Sequence, residues 1–143
     1  MNGQTTHAVD ETHTLAKELA KILTAGNILA LSGELGSGKT TFTQGLAKAL
    51  GIDQRITSPT FLIVKQYRVE KHPSIKTLYH VDLYRIESEA DIEGIGLSEM
   101  MKDPQGLTVI EWPEKLGKYL PDKRIDIKFK FIDESQREIN ISK

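Results

Sequence analysis

The chain has 143 residues, 38% apolar and 27% charged, which suits one globular domain with a single core and excludes a largely disordered polymer. Its 19 basic and 20 acidic residues give a net charge of -1, without the basic excess by which a stand-alone nucleic-acid binder neutralises phosphates. There is no cysteine, which excludes disulfides, thiolate-bound zinc and iron–sulfur clusters.

Residues 1–11 are polar and carry no apolar core of signal-peptide length, and no apolar run approaches the ~20 residues that span a bilayer. A soluble, cytoplasmic protein that does not engage a membrane is expected. From Asp10 onward Leu15, Leu19, Ile22 and Leu23 recur at helical spacing, and Gly26 suits a left-handed end to that helix. Residues 27–32 are a short apolar run of buried-strand length. A glycine loop follows at once, and behind it Phe42, Leu46, Ala49 and Leu50 mark a second helix closed by Gly51.

Residues 53–59 read as a loop and residues 61–69 as a strand rich in β-formers. After a turn at 70–74, residues 76–82 read as another strand that can pair back as a hairpin. Residues 87–101 are weakly helical and broken by Gly94 and Gly96. Leu107, Thr108, Val109 and Ile110 form a further apolar strand, ended by Glu111, Trp112 and Pro113. Ile125, Ile127, Phe129 and Phe131 alternate with Asp126, Lys128 and Lys130, a half-buried strand, and residues 137–141 pair back on it through a polar turn at 133–136. Residues 1–143 thus read as a single α/β domain: a P-loop NTPase-like sheet flanked by helices, with additional antiparallel strands near one edge.

The loop at residues 33–40, Gly-Glu-Leu-Gly-Ser-Gly-Lys-Thr, fits G-x-x-x-x-G-K-[ST]. Its glycines let successive backbone N–H groups turn inward toward phosphate oxygens, and the helix that follows adds the positive end of its dipole. Lys39 then reaches the outer phosphates and the Thr40 hydroxyl completes a magnesium ion's coordination. Leu35, Gly36, Ser37, Gly38 and Thr41 join them as expected nucleotide-binding residues.

A P-loop also needs a carboxylate at a neighbouring strand end to hold magnesium. Glu111 has that position; it departs from the usual aspartate and can coordinate directly or through water. Asp82 ends the strand at 76–82 and can orient the attacking water, act as a base, bind a magnesium-bound water, or simply cap the next segment. Thr60, in the loop Ser58–Pro59–Thr60, is either a hydroxyl that senses the γ-phosphate and magnesium or a turn residue entering a strand. Arg85 can bring charge to a transition state, although most arginines make surface ion pairs. His80 and Trp112 read as core or rim residues, and the histidines at 7, 13, 72 and 80 show no metal-cluster spacing.

Two other activities fit a P-loop. A small-molecule phosphotransferase would use Asp82 on an acceptor hydroxyl and Arg85 as a clamp, but no arginine-bearing lid segment is visible. A GTPase-like switch would use D-x-x-G at residues 91–94, but these fall in a helical stretch, and the chain has no N-K-x-D motif to read guanine.

Three short motifs carry a more specific likeness. Gly-Glu-Leu-Gly-Ser-Gly-Lys-Thr-Thr at 33–41, Ser-Pro-Thr-Phe at 58–61 and His-Val-Asp-Leu-Tyr-Arg at 80–85 are followed by Val-Ile-Glu-Trp-Pro-Glu at 109–114. In order and spacing they resemble the bacterial TsaE family, also called YjeE, over nearly the whole chain. The resemblance implies a magnesium-dependent ATPase, slow alone, that serves threonylcarbamoyl modification of the adenosine next to the anticodon in tRNAs reading codons that begin with A. It implies docking on a TsaB–TsaD heterodimer, with tRNA met indirectly through that complex and with TsaC or a relative supplying threonylcarbamoyl-adenylate. Carried onto this chain, Lys39 and Thr40 bind phosphate and magnesium and Glu111 is a magnesium ligand. Thr60 and Asp82 belong to switch-like and catalytic elements, Trp112 lies near the nucleotide, and Arg137 and the Glu11–Thr12 segment flank the base or ribose.

Overall fold

The computed structural model describes residues 4–57 and 63–142. Seven strands form one sheet in the order β1-β7-β6-β2-β5-β4-β3. They are β1 (Gln4–Thr6), β2 (Ile28–Ser32), β3 (Val64–Arg68), β4 (Thr77–Asp82), β5 (Gly106–Glu111), β6 (Ile125–Phe131) and β7 (Arg137–Ser142). The helices are α1 (Val9–Ala20), α2 (Lys39–Ala49), α3 (Glu89–Gly94) and α4 (Leu97–Met101), with a 3-10 segment over Pro113–Tyr119. The central strands β6, β2, β5 and β4 are parallel to one another, whereas β3 is antiparallel to β4 at one edge and, at the other, β7 is antiparallel to β6 and β1 to β7.

The α/β expectation holds, with one correction: antiparallel strands finish both edges of the sheet. The strand at one edge, β1, has three residues and only β7 as partner, so its own sequence carries no alternating pattern long enough to announce it. Gly26 is also reassigned. The helix α1 ends at Lys21 in right-handed conformation, and Gly26, at φ 91°, turns the chain into β2 while its amide donates to the Gly106 carbonyl at 2.7 Å. Gly51 does close α2 as expected: at φ 76° its amide donates to Lys48 and that of Ile52 to Ala47.

The core lies mainly between one face of the sheet and the α1–α2 pair. Leu15, Ala16 and Leu19 of α1 and Phe42 and Leu46 of α2 pack on Leu29 and Leu31 of β2, Leu107 and Val109 of β5 and Ile127 and Phe129 of β6. Burying a side chain such as Phe42 contributes about 2–3 kcal/mol. Its edge-on approach to Phe129, with ring centroids 5.5 Å apart, adds about 1 kcal/mol. The opposite face is covered by α3, α4 and the 3-10 segment, which pack Ile92, Leu97 and Leu116 on Ile28, Val81 and Ile110. In β6 the alternation holds through Phe129; Phe131, at the strand end, is 43% exposed. No helix among the described residues is long and apolar enough to cross a membrane.

This topology brings the carboxyl ends of β2, β4 and β5 to one edge, the place where ligands bind in open α/β sheets. Asp82 and Glu111 are the last residues of β4 and β5 and are direct partners in the strand register. The glycine loop leaves β2 beside them, because Leu31 is in register with Glu111.

Candidate nucleotide site

The loop conformation follows from its glycines. At Gly33, φ 150°, a Cβ would stand 2.6 Å from the Phe129 carbonyl and 2.7 Å from Ser37 Oγ, so only hydrogen fits where the chain passes β6. Gly36 and Gly38 adopt φ 77° and 107°, and the Ser37 amide donates to Glu34 O at 3.1 Å. Gly38 is the N-cap of α2 and offers no side chain to the first-turn amides, and that turn contains no acidic residue. The donors and dipole of this eleven-residue helix are therefore open to an anion.

Lys39 extends along the loop. Its Nζ donates to Gly33 O at 2.7 Å and stands 3.9 Å from the centre of the Trp112 ring. Burial pushes the lysine below its ordinary pKa, opposed by the nearby carboxylates of Glu111, Asp82 and Glu114. The Ser37 hydroxyl is buried with no hydrogen-bond partner among the described residues.

A cleft of about 650 Å³ opens over this loop. Its wall includes Leu35, Gly36, Gly38, Lys39, Thr40 and Thr41 from the loop and α2, Asp82 and Glu111 from the strand ends, and Trp112 and Arg137. Asp82 is buried and its Oδ1 accepts the Tyr84 amide at 3.0 Å, so it does cap the chain leaving β4 while facing the cleft. Glu111 is buried, with Oε2 2.6 Å from Nε2 of the fully buried His80. Trp112 follows at φ 60°, ψ 50°, a left-handed conformation that costs a bulky residue about 1–2 kcal/mol. Its ring meets that of Tyr84, with centroids 5.1 Å apart. The Arg137 guanidinium donates to Gly36 O at 3.2 Å and to the Gln136 carbonyl at 2.9 Å, and lies 4.6 Å from the Phe131 ring centre. It ties the glycine loop to the β6–β7 turn.

Two expected residues, Ser37 and Glu11, stand apart from this wall. Ser37 is buried and does not line the cleft. Glu11 does not line the cleft: its carboxylate reaches back to the His7 amide at 2.8 Å, as an acid in a first helical turn often does. Its neighbour Thr12 lines the cleft instead, buried, with its hydroxyl donating to that of Thr6 at 2.9 Å. Thr60 lies outside the described residues. Arg85 is exposed and is not part of the cleft wall. Thr6, His7 and Ala8, with Tyr84, Glu134 and Ser135, were not singled out by sequence. Thr6, His7 and Ala8 enter the wall through the pairing of β1 with β7, which no local pattern encodes; Glu134 and Ser135 lie in the turn expected at 133–136, and Tyr84 follows the end of β4.

The loop, its lysine and the two strand-end carboxylates form a donor set that suits a nucleotide phosphate chain with a divalent cation. The family model for the threonylcarbamoyl adenosine biosynthesis protein TsaE matches residues 6–139. The chain belongs to the TsaE family. Among curated TsaE proteins, each named tRNA threonylcarbamoyladenosine biosynthesis protein TsaE, that of Bacillus subtilis is 40% identical over 133 residues, covering 93% of this chain and 80% of its own. The TsaE of Rickettsia bellii is 37% identical over 144 aligned positions, 99% of this chain and 96% of its own, and that of Treponema pallidum 38% over 124, 87% of each. The fold matches the crystal structure of Bacillus subtilis YdiB with a TM-score of 0.79, at 34% identity, over 97% of this chain and 82% of that one. The TsaE motifs at 33–41, 80–85 and 109–114 converge on one cleft; that at 58–61 lies outside the described residues.

Proposed function

We propose that this chain binds magnesium–ATP in the cleft and hydrolyses it in the service of tRNA threonylcarbamoyladenosine synthesis. The observation that carries the reading is the convergence of the open helix start of α2, Lys39, Asp82 and Glu111 on one cleft wall. In this reading Lys39 and the loop amides bind the phosphates, and Thr40 and Glu111 hold magnesium, which supplies charge neutralisation at the phosphates. Asp82, kept in place by the Tyr84 amide, orients the attacking water. Thr60 senses the γ-phosphate. Leu35, Trp112, Arg137 and Thr12 flank the rest of the nucleotide, with Glu11 acting at one remove by fixing the start of α1.

The partners implied by membership of the family are a TsaB–TsaD pair, with tRNA bound through that complex and not by this near-neutral chain itself; the work belongs to the cytoplasm. A switch built on residues 91–94 is disfavoured by a specific contact. Asp91 lies within α3, where its amide is capped by Ser88 Oγ at 3.3 Å and its Oδ2 accepts the Glu87 amide. The test has two parts. Turnover of ATP by the purified chain should be slow and should rise when TsaB and TsaD homologues are added; a full rate in isolation, or strict GTP preference, overturns the reading. Nucleosides of tRNA from cells depleted of this protein should lose threonylcarbamoyladenosine by mass spectrometry, and an unchanged level removes the pathway assignment.

A further inference from the structure

His80 takes no part in the scheme above, yet it is a fully buried polar side chain with one ring nitrogen unpartnered among the described residues. It is fully buried on the same face of the sheet as Leu78, Asp82, Leu107 and Glu111, opposite Val109 in the register. The residues at 80 and 82 alternate by two along β4 and so share a face, which sets the imidazole diagonally against Glu111 of β5. Nε2 lies 2.6 Å from Glu111 Oε2. A carboxylate only accepts, so Nε2 carries the hydrogen, and Nδ1 is left without a partner among the described residues. An unpaired buried polar atom costs about 1–3 kcal/mol. Packing would be served as well by a valine or leucine, the residue types that surround it. The cost is explained if the Nε2 contact does something a hydrocarbon cannot.

We infer that His80 is a positioning residue for Glu111: it fixes the orientation of the carboxylate at the cleft wall, and with it the affinity of the site for magnesium. The inference rests on the magnesium–ATP reading and adds a residue to it. Groups that orient a metal-binding side chain in this way commonly change metal affinity by about 10–100-fold when removed. Among the described residues His80 makes the one hydrogen bond seen at the Glu111 carboxylate, while Lys39 acts on it through charge alone.

The test is a magnesium titration of ATP binding, read from the emission of Trp112, the chain's one tryptophan, which already touches Lys39. His80→Leu, His80→Asn and His80→Gln are compared with the parent chain. Glutamine can set its amide nitrogen where Nε2 stood; asparagine is too short to do so, and leucine has no donor. Magnesium-free ATP binding reports whether the cleft is intact in each. The expected result is a rise in the magnesium midpoint on the order of 10-fold or more for the leucine and asparagine variants, with glutamine recovering most of it. Midpoints for leucine and asparagine within about twofold of the parent, or an equal loss in all three variants, overturn the inference. If the leucine variant fails to fold in a thermal scan, the asparagine–glutamine pair decides alone. A parent chain whose ATP binding ignores magnesium overturns both this inference and the reading it rests on. Magnesium dependence that the variants share unchanged overturns the role of His80 only.

Discussion

The Lys39 ammonium is held against the Trp112 ring and the Gly33 carbonyl, with two buried carboxylates close by. Burial works against its charge, so under the proposed function a phosphate chain would relieve a standing electrostatic cost as well as making new contacts. Lys39→Ala should therefore abolish ATP binding measurable by calorimetry, a loss of at least ~3 kcal/mol, since a charge-assisted contact goes and none replaces it. Retained binding would show the site to be misassigned. Glu111→Ala should weaken ATP binding in magnesium far more than in its absence; equal effects would leave Glu111 a bystander. Lys39, Asp82 and Glu111 were legible in sequence because each stands at a boundary that apolar runs mark clearly. His80 was not, because a histidine two residues before a strand end looks like any core residue until its diagonal neighbour is known. Thr12 was named only as part of the segment with Glu11, and it is Thr12 that lines the cleft while the Glu11 side chain serves the start of α1.

Among elements, the contact of α1 with α2 depends on Gly45. A Cβ there would stand 2.8 Å from His13 Cα, a backbone atom that cannot rotate away. Adding side chain raises helix propensity by less than ~1 kcal/mol, whereas overpacking typically costs about 1–3 kcal/mol. The clash wins: Gly45→Val should lower the urea midpoint by the equivalent of about 2 kcal/mol, and a stabilised variant would show that the helices part freely. The loop between α4 and β5 is tied differently. Tyr79 Oη donates to Asp103 Oδ2 at 2.5 Å, and this bond, ahead of burial, pushes the phenol up to about 12 while drawing Asp103 down. A folded-state pKa above the unfolded value of about 10 means a contribution that is complete below pH 10 and lost as pH rises toward 12. For Asp103 the sign reverses: its share is present above about pH 4 and fades as pH falls. Denaturation midpoints taken from pH 8 to 11.5 should thus fall more steeply for the parent chain than for Tyr79→Phe, and parallel curves would dismiss the bond. Strands β2, β4, β5, β6 and β7 could be read from apolar runs and alternation. The short β1 and the 3-10 segment could not: the first is held by a partner some 130 positions away, and the second begins at the left-handed Trp112, a conformation that propensities do not foresee.

On the scale of the whole molecule, sequence reached the α/β class but not the order of strands, because order is decided by which faces α1, α2 and the 3-10 segment cover, a property of no single segment. The first and last strands pair: β7 lies between β6 and β1 and buries Ile139 and Ile141. A chain stopped at residue 136 should show no cooperative thermal transition, since one edge of the sheet and part of the shared core go together; a normal transition would make that edge ornamental. The central position of β2 has a further consequence, in time and not in space. Its hydrogen-bonding partners are β5 and β6, which begin at residues 106 and 125. During synthesis the glycine loop thus leaves the ribosome long before any strand exists to support it, and such distant pairings form slowly. Nascent chains of this protein should gain nucleotide-dependent protection from protease only in the last stretch of translation, which makes ATP a late witness of folding and no help at its beginning.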